Sequence, residues 1–73
     1  EDRAAREIFV RNRQVAGRQL RDLKLPGDLL VLAIRRDQRL LIPHGDASFE
    51  IGDRVSLIGD HNSLRTAREL FEG

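Results

Sequence analysis

The chain contains no cysteine, methionine, tryptophan or tyrosine, and its aromatic residues are three phenylalanines. Without cysteine no disulfide can brace the fold and no thiol can act as nucleophile or zinc ligand, and the composition suits a reducing compartment better than a secreted mini-protein. Three phenylalanines leave few flat surfaces on which nucleic-acid bases could stack. An excess of charge of one sign is also lacking. Thirteen basic and twelve acidic side chains give a formal net charge of +1, and they are interspersed, so no strong long-range field gathers polyanions. Both absences disfavour nucleic acid as a partner. The longest apolar run, Leu29-Leu30-Val31-Leu32-Ala33-Ile34, falls far short of the roughly 18 to 20 residues needed to cross a bilayer, so no direct membrane insertion is expected. With no methionine and an opening Glu1-Asp2-Arg3, the chain is expected to be a piece of a longer polypeptide to which its function belongs.

What is present suits one small domain. Seventy-three residues bury a modest core, and with disulfides excluded, oligomerisation is the expected supplement. Residues 1–5 read as the end of a linker, with the domain proper at residues 6–73. Glu7-Ile8-Phe9-Val10-Arg11 has the β-branched and aromatic character of a strand. Leu20 and Leu23, three apart, predict one face of a short helix of about two turns, which must end before the turn Pro26-Gly27-Asp28. The run 29–34 has strand length and predicts a central strand, pairing as a hairpin with Leu40-Leu41-Ile42 across the polar segment 35–39. Pro43 stops the second of these strands. His44-Gly45-Asp46 and Gly52-Asp53 are turns, and Arg54-Val55-Ser56-Leu57-Ile58 alternates as a last strand closed by Gly59. Leu64, Ala67, Leu70 and Phe71 recur at helical spacing, with Asp60, Asn62 or Ser63 able to cap that helix. The order β-α-β-β-β-α, with a small mixed or antiparallel sheet, defines an α+β fold.

The run 29–34 carries more apolar surface than a one-sided sheet uses. If Leu30, Leu32 and Ile34 face the core, then Leu29, Val31 and Ala33 face something else. Either the two helices cover opposite faces of the sheet, or a second subunit buries the outer one. The sequence favours the subunit interface, because a domain this small gains much of its stability by burying surface against a copy of itself.

Motifs for chemistry are sparse. Ser48, Ser56 and Ser63 lie in no nucleophile elbow, and His44 and His61 stand alone without ligand partners at metal-binding spacing. No catalysis and no metal site are expected. Asp46, Glu50 and Asp53 could offer oxygens to a hard cation, but they fit turn-forming and solvated edge positions better. The glycines are scattered, so no phosphate loop is present. The remaining cluster is Arg35, Arg36 and Arg39 about the hairpin turn, with Pro43 and His44 at the far end of its second strand. Guanidinium forks suit phosphate, and two such hairpins meeting across an axis could cradle an anion, although these arginines also serve to solubilise a tight turn.

Four segments in order, Val15-Ala16-Gly17-Arg18-Gln19-Leu20-Arg21-Asp22-Leu23, Val31-Leu32-Ala33-Ile34-Arg35-Arg36, Leu41-Ile42-Pro43-His44-Gly45-Asp46 and Gly52-Asp53-Arg54-Val55-Ser56-Leu57-Ile58-Gly59, resemble the C-terminal domain of TrkA-type regulators, also called the RCK C-terminal domain. The resemblance implies a dimeric module on the cytoplasmic side of the bacterial inner membrane. It would serve a potassium channel, a potassium uptake system or a cation:proton antiporter, and pass ligand occupancy to the membrane-embedded portion. Some relatives bind cyclic di-AMP between two such domains, and the matching positions here are Ile34, Arg35, Pro43 and His44. Nucleotide-binding relatives tend to carry an Arg and an Asn before the second strand, whereas Leu25-Pro26-Gly27-Asp28-Leu29-Leu30 has neither and looks more like the antiporter-fused form. Two functions follow as expectations: a ligand-sensing dimerisation domain, or a structural assembly domain without a ligand.

Overall fold

A computed structural model describes residues 2–73 of the chain. Strand β1 (Arg3–Phe9) leads through a loop to a 3-10 turn (Leu20–Asp22). Strands β2 (Leu29–Arg36), β3 (Arg39–Leu41) and β4 (Arg54–Asp60) follow, and helix α1 (His61–Glu72) ends the fold. The four strands form one antiparallel sheet in the order β1-β4-β2-β3. The predicted α+β class and element order therefore hold, and the expected hairpin is present with Ile34 opposite Leu41 and Arg36 opposite Arg39. Its two-residue turn places Asp37 at φ 55°, a left-handed conformation that Asp tolerates better than most residues.

Two boundaries differ from expectation. Strand β1 starts at Arg3, so residues 3–5, expected as the end of a linker, pair with Ile58, Gly59 and Asp60. The seven residues of β4 expose backbone donors and acceptors along their whole outer edge, and a strand of matching length satisfies them. The expected first helix is a single 3-10 turn with Leu20 and Leu23 both packed on the core. Its backbone donors go elsewhere: Gly17 N bonds Phe49 O at 2.8 Å, Leu20 N bonds Ala47 O at 2.9 Å and Arg21 N bonds Gly45 O at 2.9 Å. A segment zipped to a neighbouring loop in this way cannot also build an i to i−4 ladder.

Helix α1 lies on one face of the sheet with Leu64, Ala67 and Phe71 inward. These side chains join Ile8, Val10, Val15, Ile34, Phe49, Val55 and Leu57 in a single core, where Phe49 and Phe71 meet edge to face at 5.1 Å. Of the three predicted capping residues, Asp60 does the work, accepting from Ser63 N at 2.7 Å. Gly59 belongs to β4 rather than closing it, and a Cβ there would sit 2.7 Å from Asp28 O. Only glycine lets β2 and β4 approach at this point.

The main correction concerns β2. Ile34 is fully buried as expected, but Leu29 and Val31 pack against the core, while Leu30 and Leu32 are 59% and 48% exposed. The inward and outward sets of the first half of the strand are thus exchanged. The cause is a bulge: Val31 faces Leu57 and Ala33 faces Ser56, so Leu32 has no partner of its own and the side-chain alternation slips by one. Of the expected outward trio, Leu29 and Val31 turn inward, whereas Ala33, half-buried opposite Ser56, keeps the outward side; the large outward apolar residues of β2 are Leu30 and Leu32.

Candidate functional site

The sheet face opposite α1 is set by strand register. Residues directly opposite in an antiparallel pair share a face, so Ile58 lies beside Leu30 and Ala5, and Arg54 beside Arg35 and Phe9. Arg35 in turn faces Leu40. Leu30, Leu32, Leu40, Ile58 and Phe9 are all exposed on this side, Leu40 at 65%. The result is a sheet face whose greasy centre is left uncovered by every element among the described residues. At its rim the guanidinium groups of Arg11 and Arg54 each lie 5.1 Å from the centre of the Phe9 ring, with Glu7 3.9 Å from Arg54. A concavity of about 410 Å³ opens at one end, between Asp28, Leu30, Ile58 and Arg3, where Arg3 Nη2 donates to both carboxylate oxygens of Asp28 at 2.9 and 3.0 Å.

The residues expected around the hairpin separate. Arg35 is exposed on the open face. Arg36 points to the other side and is committed to the fold. Its Nε donates to Asp53 Oδ1 at 2.9 Å and its Nη2 to Asp53 Oδ2 and Ser48 O, both at 2.8 Å. Its Nη1 lies 3.2 Å from Glu50 Oε2. The Asp53 carboxylate, 1% exposed, also accepts from Glu50 N at 2.9 Å. The bond to Asp53 raises the Arg36 pKa further above its usual value, against the opposing effect of burial. A guanidinium held so closely has little left to offer a ligand. Ile34 is buried in the core, so its side chain cannot line a cleft either. Pro43 is half-buried and His44 exposed in the loop after β3, with His44 O accepting from Ala47 N. Of the five expected ligand positions, Arg35 and His44 keep exposed side chains.

The Asp46, Glu50 and Asp53 run is divided in the same way: Asp53 turns inward to Arg36, with Glu50 beside it. Sequence reasoning treated Gly52-Asp53 as ordinary turn chemistry and missed this carboxylate, which anchors the 48–53 loop to β2. Its partner is 17 residues away, and no local pattern signals that pairing.

Among proteins of known family, residues 5–72 match the TrkA-C domain. The chain is 37% identical over 71 residues to a Trk system potassium uptake protein TrkA homolog of Archaeoglobus fulgidus, covering 97% of this chain and 16% of that protein. It is 30% identical over 67 residues to a putative Na(+)/H(+) antiporter, YjbQ, of Bacillus subtilis, covering 92% of this chain and 11% of that one. It thus spans a small fraction of the length of the curated relatives it matches. Among solved structures, the RCK C domain of the potassium transport protein KtrA in complex with cyclic di-AMP superposes with a TM-score of 0.81 at 25% identity, covering 94% of this chain and 84% of that one. An RCK domain structure described as "with cda" superposes at 0.87 with 28% identity, covering 93% and 97%. A family match over nearly the whole chain, joined to the same fold in these structures, shows that the chain belongs to the TrkA-C, or RCK C-terminal, domain family.

Proposed function

We propose that this domain is the regulatory and dimerising module of a monovalent-cation transport protein, a potassium uptake system or a cation:proton antiporter, on the cytoplasmic side of the membrane. Its partners are a second copy of itself and the membrane-embedded portion of the same or an associated chain. Catalysis has no part in this reading. The observation that carries it is the uncovered apolar sheet face, Leu30, Leu32, Leu40 and Ile58, on a chain whose family includes potassium uptake and antiporter proteins. A contiguous face of this kind marks an interaction surface in a soluble domain. A two-fold pairing through this face would put both copies of Arg35 at the shared surface, where a guanidinium could meet an anionic effector such as cyclic di-AMP, the ligand of the KtrA neighbour. An effector that binds one dimer geometry better than another shifts the transporter's equilibrium by that difference in affinity.

Calorimetric titration with cyclic di-AMP tests the sensing role. Saturable heat that Arg35→Ala weakens about tenfold or more, the loss of a charge-assisted contact, supports it. A second reading, an assembly domain without a ligand, is favoured by the segment 25–30, which has neither Arg nor Asn. The absence of heat with dimerisation intact would select it.

A further inference from the structure

On the helix side of the sheet, away from the apolar face, a groove of about 330 Å³ runs between β1 and α1, lined by Arg6, Ile8, His61, Leu64, Arg65 and Arg68. Positions 61, 64, 65 and 68 follow the i, i+3, i+4, i+7 spacing of one helical stripe, and that stripe faces the strand pair Arg6 and Ile8. The floor is apolar and buried, through Ile8 and Leu64. The walls carry three guanidinium groups and an imidazole, and no carboxylate lines the space.

The neighbouring acids are engaged elsewhere. Asp60 caps α1 through Ser63 N. Glu7 alternates onto the opposite sheet face, where Arg54 lies 3.9 Å away. Glu72, itself half-buried, pairs with the exposed Arg68 at 3.6 Å, a long contact. Arg6 spends one N–H, on Ala5 O at 2.8 Å. Among the described residues Arg65 makes no ion pair, and Glu69, one turn further on, lies outside ion-pair range. Arg6 and Arg65, with Arg68 held only by the long contact to Glu72, gather positive charge beside an apolar floor that an anion lying between them would offset. Planar forks on two different elements suit the tetrahedral oxygens of a phosphoryl group.

We propose that this groove is an anion site for a phosphoryl group, held by Arg6, Arg65 and Arg68. It is distinct from the Arg35 region on the other face and independent of any effector there. Its volume, at the low end for ligand pockets, fits a diphosphate or a phospholipid headgroup rather than a large ligand. Two titrations of the chain distinguish the sources: pyrophosphate followed by calorimetry, and vesicles containing phosphatidylglycerol followed by co-sedimentation against neutral vesicles. Saturable binding in either one identifies the source. Arg65→Gln should weaken it about tenfold or more and Arg65→Glu should abolish it, as removal and reversal of one charged hydrogen-bond donor require. Lys24→Gln, which removes an exposed cation outside the groove, should leave it unchanged. Arg65 is exposed, so both Arg65 variants should retain the circular dichroism of the parent. The proposal is overturned if neither pyrophosphate nor acidic vesicles bind, or if folded Arg65→Gln and Arg65→Glu bind as the parent does.

Discussion

Arg35 and Arg36 are adjacent in the chain, both exposed by any hydropathy reading, and have opposite fates because successive strand residues point to opposite faces. Arg36 compensates the buried carboxylate of Asp53, so Arg36→Met leaves that charge without its main partner. The substitution should cost about 3 kcal/mol in urea unfolding. Arg35→Met should stay within about 0.5 kcal/mol. Equal costs for the two would contradict the assigned roles. None of this was legible locally: an arginine after an apolar strand reads as a solvated turn flank, and Gly-Asp reads as a turn. Asp60 was among the predicted caps, and its hydrogen bond from Ser63 N lowers its pKa below the usual carboxylate value. Because the folded value is depressed, the cap contributes fully above the unfolded-state pKa, about 3.9, and its contribution is lost as pH falls through the folded value. Melting temperatures of parent and Asp60→Ala should therefore differ by a constant amount near neutrality and converge in acid. Asp60→Asn, which caps without titrating, should remove most of that pH dependence.

At the scale of elements, α1 and the β2–β3 hairpin were legible because each rests on a local rule: apolar residues at helical spacing, and two apolar runs flanking a polar turn. The elements that depend on distant partners were not. The first helix shrinks to a 3-10 turn because residues 17–21 zip onto the 45–49 loop. Strand β1 reaches back to Arg3 because the edge of β4 requires it. The bulge at Leu32 is the costliest omission, since an unbroken apolar run carries no mark of where its alternation slips, and that slip exchanged the predicted inner and outer residues of half the strand. Close approach of β2 and β4 at Gly59 gives this element its own test. Gly59→Ala drives a Cβ into the Asp28 carbonyl, which belongs to the backbone and cannot swing aside. The variant should lose about 1 to 3 kcal/mol, in the range of overpacked cores. Amide exchange should show the loss concentrated in β2 and β4, and uniform protection equal to that of the parent would contradict the packing described.

For the molecule as a whole, the surplus of apolar surface in the second strand was legible from composition, and its consequence, a face one chain leaves open, is what the structure contains. Which residues form that face was not legible, for the reason given by the bulge. The proposed contact between copies therefore centres on Leu30, Leu32, Leu40 and Ile58, with the small Ala33 beside them, rather than on Leu29 and Val31, whose side chains pack inward. Sedimentation equilibrium of the parent chain and of Leu32→Asp decides this most directly. The parent should sediment as a dimer and the variant as a folded monomer of unchanged helix content. A parent chain that stays monomeric and folded at millimolar concentration, or a variant that dimerises as the parent does, would contradict the proposed contact.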